Sequence, residues 1–524
     1  MVFGNWLNLR KQHGWTLISI ALIVAIALLS MRTFAAIHTP TFNSDNAIHV
    51  LMAYHLKLPD DLYYWGQDRL GSLLPVLSHW LLKILPLPVA TAVSIVQYAL
   101  LVFGFVCFAS LLRHAVSRVV LALVWFLPLR PFTELVSIGQ PYAAQLALIG
   151  AACVAIDRRS QSTQLAAKRG WLGIATACLF LSLWMSDFTI VVILLLGLWG
   201  LWQMLSAWRS NQPVPVWDLL LVLLVSGAGM AFIRFAKAHA DSWRSYSSFA
   251  TPAQTIEMVQ RLLTSIGNTL TFQANNLFLT LHGLLAVALL VYLGWTIATR
   301  RQILRSVSHW FYLFLGTVLV GSSLLLISAW VYRNEVNLRY FIVSYLAIWL
   351  AVLFWLEALP SGVAKRASIL VLLVAIASSL SLPKYVYAIE RPPSKITSLQ
   401  EFKTLGNAGL IGNYWNSYLL CAVDPANLNC SRFDRLGKSP CPPASNPQQD
   451  VGRVRCRRCV PEVFASDTIY LVKEKWFDTA PYRDYPNEIQ QFGKCLVKAG
   501  EPRQVSGYTI APYRIKPSVN PSIQ

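Results

Sequence analysis

Residues 15–36 read WTLISIALIVAIALLSMRTFAA, and after a short link residues 43–75 read NSDNAIHVLMAYHLKLPDDLYYWGQDRLGSLLP. The first stretch is almost wholly apolar and long enough, as a helix, to cross a hydrocarbon core of about 30 Å. It is longer than a signal-peptide core. TFAA at its end resembles a cleavage site, but the run reads as an uncleaved first membrane helix. The second stretch carries acids, bases, aromatics and glycine, and it sits between two apolar runs. A polar segment so placed lies at the membrane surface, with Asp45 a few residues beyond the end of the first span.

The same alternation runs through the chain. Apolar runs recur at about 89–110, 117–129, 139–156, 171–186, 188–205, 216–233, 276–298, 310–330, 340–357 and 368–388. With the first, this predicts about 11 transmembrane helices, the fifth and sixth joined at Ser186-Asp187. Only 13% of the 524 residues are charged and 55% are hydrophobic, whereas a soluble domain carries about 25% charged residues. The composition excludes a soluble globular protein. The fold class is therefore an all-α polytopic membrane bundle with a small α+β C-terminal domain.

The net charge of +20 has a topological origin. Arg113, Arg118, Arg158, Arg159, Lys168, Arg169, Arg209, Arg300, Arg301, Arg305, Lys365 and Arg366 fall in one set of alternate loops. The loops of the other set, 37–88, 130–138, 234–275 and 331–339, are mixed and more acidic. The positive-inside rule then puts the N-terminus in the cytoplasm and the tail outside. Scattered loop cations form no basic surface, so no nucleic-acid partner is expected; the partners implied by composition are membrane lipids.

The chain divides into a membrane domain, 1–388, and a tail, 389–524. The tail is rich in polar residues and proline (Pro393, Pro440, Pro442, Pro443, Pro447). Its short apolar runs Gly409–Tyr414, Thr468–Val472 and Tyr508–Pro512 read as strands. Cys107, Cys153 and Cys178 lie in apolar spans, while Cys421, Cys430, Cys441, Cys456, Cys459 and Cys495 are all in the tail. An even number in an exported domain points to disulfides, with the pairing open. Cys456-Arg-Arg-Cys459 also reads as a metal-ligand pair or a redox dithiol, although zinc calls for a second pair of similar spacing.

No Walker motif, dinucleotide fingerprint or HExxH occurs, so any chemistry falls to loops beside the membrane. Asp45 opens a segment, Asn46 to Leu58, that reads as a helix. Ser44 or Asp45 suits its N-cap. Alternatively, Asp45 serves as a general base for an acceptor hydroxyl. Tyr64 and Trp65 suit either an interfacial belt or a sugar-stacking wall. Gln67 and Asp68 follow. Arg69 suits a phosphate, or else a pairing with Asp68. Glu134 and Asp187 are further acids at span ends. His49 and His55 read as structural. Ile256–Leu270 reads as an amphipathic helix, either an interfacial one or a lid.

The acid after the first span, followed by YYWGQ and GSLLP, resembles the GT-C-fold glycosyltransferases, which take sugars from polyprenyl-phosphate carriers and include the protein O-mannosyltransferases and the aminoarabinose transferases. Asn337-Leu338-Arg339-Tyr340 resembles the Arg-Tyr motif of bacterial members, and Gly412–Tyr418 is similar to an aromatic segment after the last span in one subgroup. The resemblance implies that Asp45 is the catalytic base and that Arg339, with Arg69 and Arg333, meets the carrier phosphate. Tyr64, Trp65, Gln67, Asp68, Glu134, Asp187 and Tyr340 would then touch sugar or acceptor. Many members pair two acids where this chain has Asp45-Asn46, so no metal and no cofactor are expected. It further implies an inverting transferase of a bacterial inner membrane, with the tail in the periplasm. The donor is a polyprenyl-phosphate sugar and the acceptor a glycan, glycolipid or protein of the cell envelope. A lipid-linked glycan transporter or flippase would place ionisable residues within the spans, which are nearly free of them. A non-catalytic envelope assembly protein would use the tail for binding.

Overall fold

The structure is a computed structural model that describes residues 2–211, 216–242, 248–299, 302–435, 437, 441, 454–473 and 484–517. Arg300, Arg301, Pro440, Pro442, Pro443 and Pro447 lie outside the described residues, as does the side chain of Arg305.

Every apolar run read as a span lies on a helix: α1 Val2–Phe34, α4 Val89–Ser110, α5 Ala115–Phe126, α6 Tyr142–Gln161, α7 Leu165–Met185, α8 Thr189–Arg209, α9 Val216–His239, α11 Leu277–Thr299, α13 His309–Leu326, α15 Ile342–Glu357 and α16 Ser361–Leu380. Between them fall α2 Ser44–Tyr54, α3 Leu73–Ile84, α10 Pro252–Leu270, α12 Ile303–Ser306 and α14 Ala329–Arg333, and the tail adds α17 Lys395–Ser398, α18 Tyr414–Cys421 and α19 Cys459–Ala465. Among the described residues, eight helices are long and apolar enough to cross a membrane. This is a multi-pass membrane protein. The remaining three have physical reasons to fall short of that measure: α5 has only 12 residues, α6 ends in Asp157-Arg158-Arg159, and α7 begins with Lys168-Arg169. The ninth run is broken at Ile327-Ser328, between α13 and α14. The last helix stops at Leu380, earlier than the apolar pattern, with Pro383 following.

The chain forms two compact units. One comprises Met1–Ala35, Gln97–Ile233 and Ser245–Arg391; the other comprises Ala36–Val96, Arg234–Arg244 and Pro392–Gln524. In the first unit, α15 is the central helix. Its apolar window is 83% buried, against 11% for those of α8 and α11. A helix that is apolar all round and largely uncovered by protein needs lipid around it. Polar groups at the breaks are satisfied inside the bundle, as a bilayer demands. The Tyr345 hydroxyl receives the Leu129 amide at 3.2 Å, and Ser379 Oγ donates to the Leu127 carbonyl at 3.0 Å.

In the second unit the tail builds a mixed sheet from β1 Ala408–Gly412, β2 Leu428–Arg432, β3 Thr468–Val472, β4 Glu488–Gln491, β5 Lys494–Lys498, β6 Arg503–Val505 and β7 Tyr508–Ile515. The order is β2-β1-β3-β7-β5-β4, with β6 on β7. β1 runs parallel to both neighbours, with Leu410 opposite Cys430 and Tyr470; the other pairs are antiparallel. α18 is the crossover between β1 and β2 and packs, with α19, on that end of the sheet. A side chain at Gly409 would collide with the Val463 carbonyl, so glycine is what lets α19 approach. The core is Ile411, Val463, Ile469, Leu471, Ile489, Leu496 and Tyr513.

The strand expected over Gly409–Tyr414 ends at Gly412, and Tyr414 opens α18. Three disulfides brace the tail: Cys421–Cys430, Cys441–Cys495 and Cys456–Cys459. Cys456 and Cys459 are thus joined to each other and offer no thiolate to a metal.

Candidate active site

The stretch after α2 folds on itself. The Tyr64 amide donates to the Leu70 carbonyl at 2.8 Å, and Gln67 N to the Tyr64 carbonyl at 3.0 Å. Gly66 makes the reversal at φ 70°, a conformation glycine adopts without a Cβ penalty. The turn buries its own aromatics: Tyr64 is 2% exposed and Trp65 5%.

Asp61 is the hub beneath this turn. Its carboxylate accepts from Trp65 Nε1 at 2.8 Å, Lys57 N at 2.7 Å and Arg458 Nη2 at 2.6 Å. Arg458 also donates to the His55 carbonyl at 3.0 Å and lies 5.5 Å from the Trp65 ring centre. Arg457, beside it, pairs with Asp241 at 3.0 Å.

Asp45 sits in the first turn of α2, where the helix dipole favours a carboxylate. It is not the cap. Asn43 caps the helix, and Asn43 and Asn46 exchange side-chain bonds to each other's amides at 3.1 and 3.0 Å. Asn43 is already outside the helix and reaches the Asn46 amide, and the Asp45 carboxylate is left for tertiary contacts. It accepts a hydrogen bond from the phenol of Tyr414. The Tyr64 phenol donates to the Asp45 backbone carbonyl at 3.2 Å. The Arg455 guanidinium lies 5.5 Å from the Tyr414 ring centre and donates to the Gly66 carbonyl at 3.3 Å. Burial, and then the Asp45 charge, push the Tyr414 phenol well above its usual range; burial, then Tyr414 and Asp45, do the same for Tyr64. Both phenols are therefore neutral donors at physiological pH.

His49, also on α2, stacks obliquely on Tyr64 at 5.0 Å. It is buried, its Nδ1 has no hydrogen-bond partner among the described residues, and burial pushes its pKa down to about 3. The unfolded chain takes up this proton below the ordinary value of 6.5 and the folded chain does not. The resulting stability is whole above pH 6.5 and is lost as pH falls towards 3, at about 1.4 kcal/mol per pH unit. The unfolding temperature of the full chain in detergent is expected to drop between pH 7 and 5, and to drop less in His49→Leu. Equal slopes in the two proteins would count against this origin.

Gln67 is buried and accepts from Arg69 Nε at 3.3 Å; Asp68 and Arg69 are half-buried in the same turn. In the first unit, Arg339 lies in a 3-10 turn, Leu338–Phe341, that leads into α15. The Asn337 side chain caps this turn at 3.1 Å. Arg339 Nη2 donates to the Tyr340 hydroxyl at 3.1 Å, its guanidinium lies 5.1 Å from that ring's centre, and its carbonyl accepts from the Tyr142 hydroxyl at 2.8 Å. Glu134 accepts from Ser137 Oγ at 2.9 Å in the turn Arg130–Leu135, which packs on the Arg339 turn. Arg333 and Asp187 are exposed. A cavity of about 1710 Å³ opens beside these turns, lined mostly by apolar side chains of α10, α11, α13 and α15, with Gln260, Arg261, Asn268 and Glu335 among its polar groups.

The structure therefore brings Asp45 together with Tyr64, and Gln67 with Arg69, in one unit. Arg339, Tyr340 and Glu134 gather in the other. Sequence reasoning assigned no role to Asp61, Tyr414, Arg455 or Arg458. One signal was present: the arginine density of VRCRRC at 454–459, which calls for acidic partners such as the Asp60-Asp61 pair.

The fold and these groupings define a multi-pass membrane protein whose first loop and disulfide-braced tail form one compact unit. No family model matches the chain, and no curated protein matches it. Among solved structures it is similar to ArnT from Cupriavidus metallidurans bound to undecaprenyl phosphate, at 12% identity and TM-score 0.46, over 95% of this chain and 98% of that one. The apo state of the same protein gives 12% and 0.45, over 96% and 98%. The oligosaccharyltransferase of Archaeoglobus fulgidus in complex with Zn and sulfate gives 14% and 0.39, over 78% and 62%.

Proposed function

We propose that this chain is an integral-membrane glycosyltransferase. It moves a sugar from a polyprenyl-phosphate carrier to an acceptor hydroxyl on the extracytoplasmic side of a bacterial inner membrane. The observation that carries the proposal is Asp45, a carboxylate released from helix capping and held beside neutral phenols in a loop next to the first span. Such a group suits proton abstraction from an alcohol. The acceptor oxygen loses its proton to Asp45 and attacks the anomeric carbon. The bond from that carbon to the phosphate oxygen breaks, and the configuration inverts. The leaving phosphate carries growing negative charge, which suits Arg339, with Arg69 and Arg333 as further cations. The apolar cavity of the first unit suits a polyprenyl tail. The loop charge bias supports an exported tail, and its three disulfides fit an oxidising compartment.

The test is a deletion strain compared with its parent by mass spectrometry of surface glycans, glycolipids and glycoproteins. One sugar is expected to vanish from one acceptor class, and the wild-type chain should restore it. Identical profiles in both strains would contradict the proposal.

A further inference from the structure

We propose that the C-terminal tail supplies part of the base's own site, with Tyr414 as the positioning residue for Asp45 and Arg455 as the group that holds Tyr414. Because Asp45 matters here as a base, this depends on the transferase function given above.

The geometry is over-determined on the tail's side. Tyr414 is the first residue of α18. β1, which leads into α18, lies between β2 and β3, and the end of α18 is tied to β2 by Cys421–Cys430. Arg455 immediately precedes Cys456, whose disulfide to Cys459 closes the arginine turn. The same turn is pinned by Arg458 on Asp61 and Arg457 on Asp241. The ring of Tyr414 thus has the Arg455 cation at 5.5 Å and the Asp45 carboxylate on its hydroxyl.

The chemistry follows from this arrangement. A donor bonded to one oxygen of a carboxylate fixes the direction in which that carboxylate turns. Tyr414 bonds Oδ1 of Asp45, which leaves the other oxygen for an incoming hydroxyl. The phenol stays a donor because it is buried beside that charge. The ionisable groups around Asp45 are Tyr414 from α18, Tyr64 from the turn, Arg455 from the arginine turn, and His49 on α2 itself. On α3, His79 lies at the other end of α2, on the Ala53 carbonyl at 2.9 Å. Of these groups, Tyr414 and Arg455 belong to the tail.

The experiment uses the full chain in nanodiscs, with the organic extract of its native membranes as donor pool. Polyprenyl monophosphate released is measured by mass spectrometry against the concentration of donor extract, which separates kcat from KM. Tyr414→Phe is expected to lower kcat about tenfold with KM unchanged, because a misplaced base weakens the transition state and not donor binding. Arg455→Gln should lower kcat the same way, and Arg455→Lys should restore it. A wild-type kcat in folded Tyr414→Phe and Arg455→Gln, or a loss confined to KM, would overturn the proposal. Should Tyr414→Phe fail to fold in detergent, the two Arg455 variants decide the matter. The wild-type chain separates the two levels. If it releases no polyprenyl monophosphate, the transferase function itself fails. If it does and kcat is unchanged in the variants, only the positioning role fails.

Discussion

Asp45→Asn is expected to abolish the proposed sugar transfer and leave the protein folded. Asparagine keeps the shape of the side chain and an oxygen able to accept from the Tyr414 phenol. It does not touch the Asn43–Asn46 cap, which holds α2 independently. What disappears is the capacity to take a proton, and general-base catalysis contributes about 10²–10⁴ in rate. A loss of that size in polyprenyl phosphate release, with an unchanged unfolding temperature, is the expected result. Release within about tenfold of wild type would remove Asp45 from the chemistry. Asp45→Ala makes an informative contrast. It strands a buried phenol without its acceptor, which costs about 1–3 kcal/mol, so it should lose stability as well as activity.

Arg458→Ala is expected to destabilise the second unit most. The Asp61 side chain is 3% exposed and that of Arg458 27%. Removing the cation leaves a buried carboxylate that keeps hydrogen bonds from the Lys57 amide and the Trp65 indole but loses the guanidinium charge. Breaking a buried pair in this way costs about 3–5 kcal/mol, and the partial exposure of the arginine puts this case near the lower end. The His55 carbonyl and the face of Trp65 lose their partner at the same time. Heat unfolding of the full chain in detergent should begin several degrees lower. Arg458→Lys should recover little, since one ammonium does not reproduce a guanidinium that bonds two acceptors and stacks on an indole. Adding Asp61→Asn to Arg458→Met should recover more, because no unpaired charge remains. An unmoved unfolding temperature in Arg458→Ala would show the pair to be incidental.

The legible part of this chain was its local part. Apolar runs long enough to cross a bilayer became helices, and Thr468–Val472 became β3 with the ends expected. Ile256–Leu270 became most of α10, starting at Pro252 where Thr251 and Gln254 form a capping box. The cap of α2 was misplaced by one or two residues because Asn43, Ser44 and Asp45 are all good cap formers. The sequence carries no term for which of them has a better partner elsewhere. Tyr64 and Trp65 suited a sugar wall by composition, yet the turn closed by Gly66 folds them inward. Trp415 of the tail, by contrast, is 50% exposed.

By itself, then, the sequence determined the membrane-spanning pattern, the helix and strand periods, the clustering of six cysteines in the tail and the prominence of Asp45. These follow from hydrophobic spacing and residue type, which act over a few neighbours. Only the tertiary structure decided what Asp45 and Asp61 bind. Tyr414 lies 369 residues from Asp45, and Arg458 lies 397 from Asp61. The identity of such partners depends on how distant segments pack, because a buried carboxylate is stable only where folding delivers a donor to it. Sequence periodicity says that a side chain faces inward, and the fold alone says which side chain it meets.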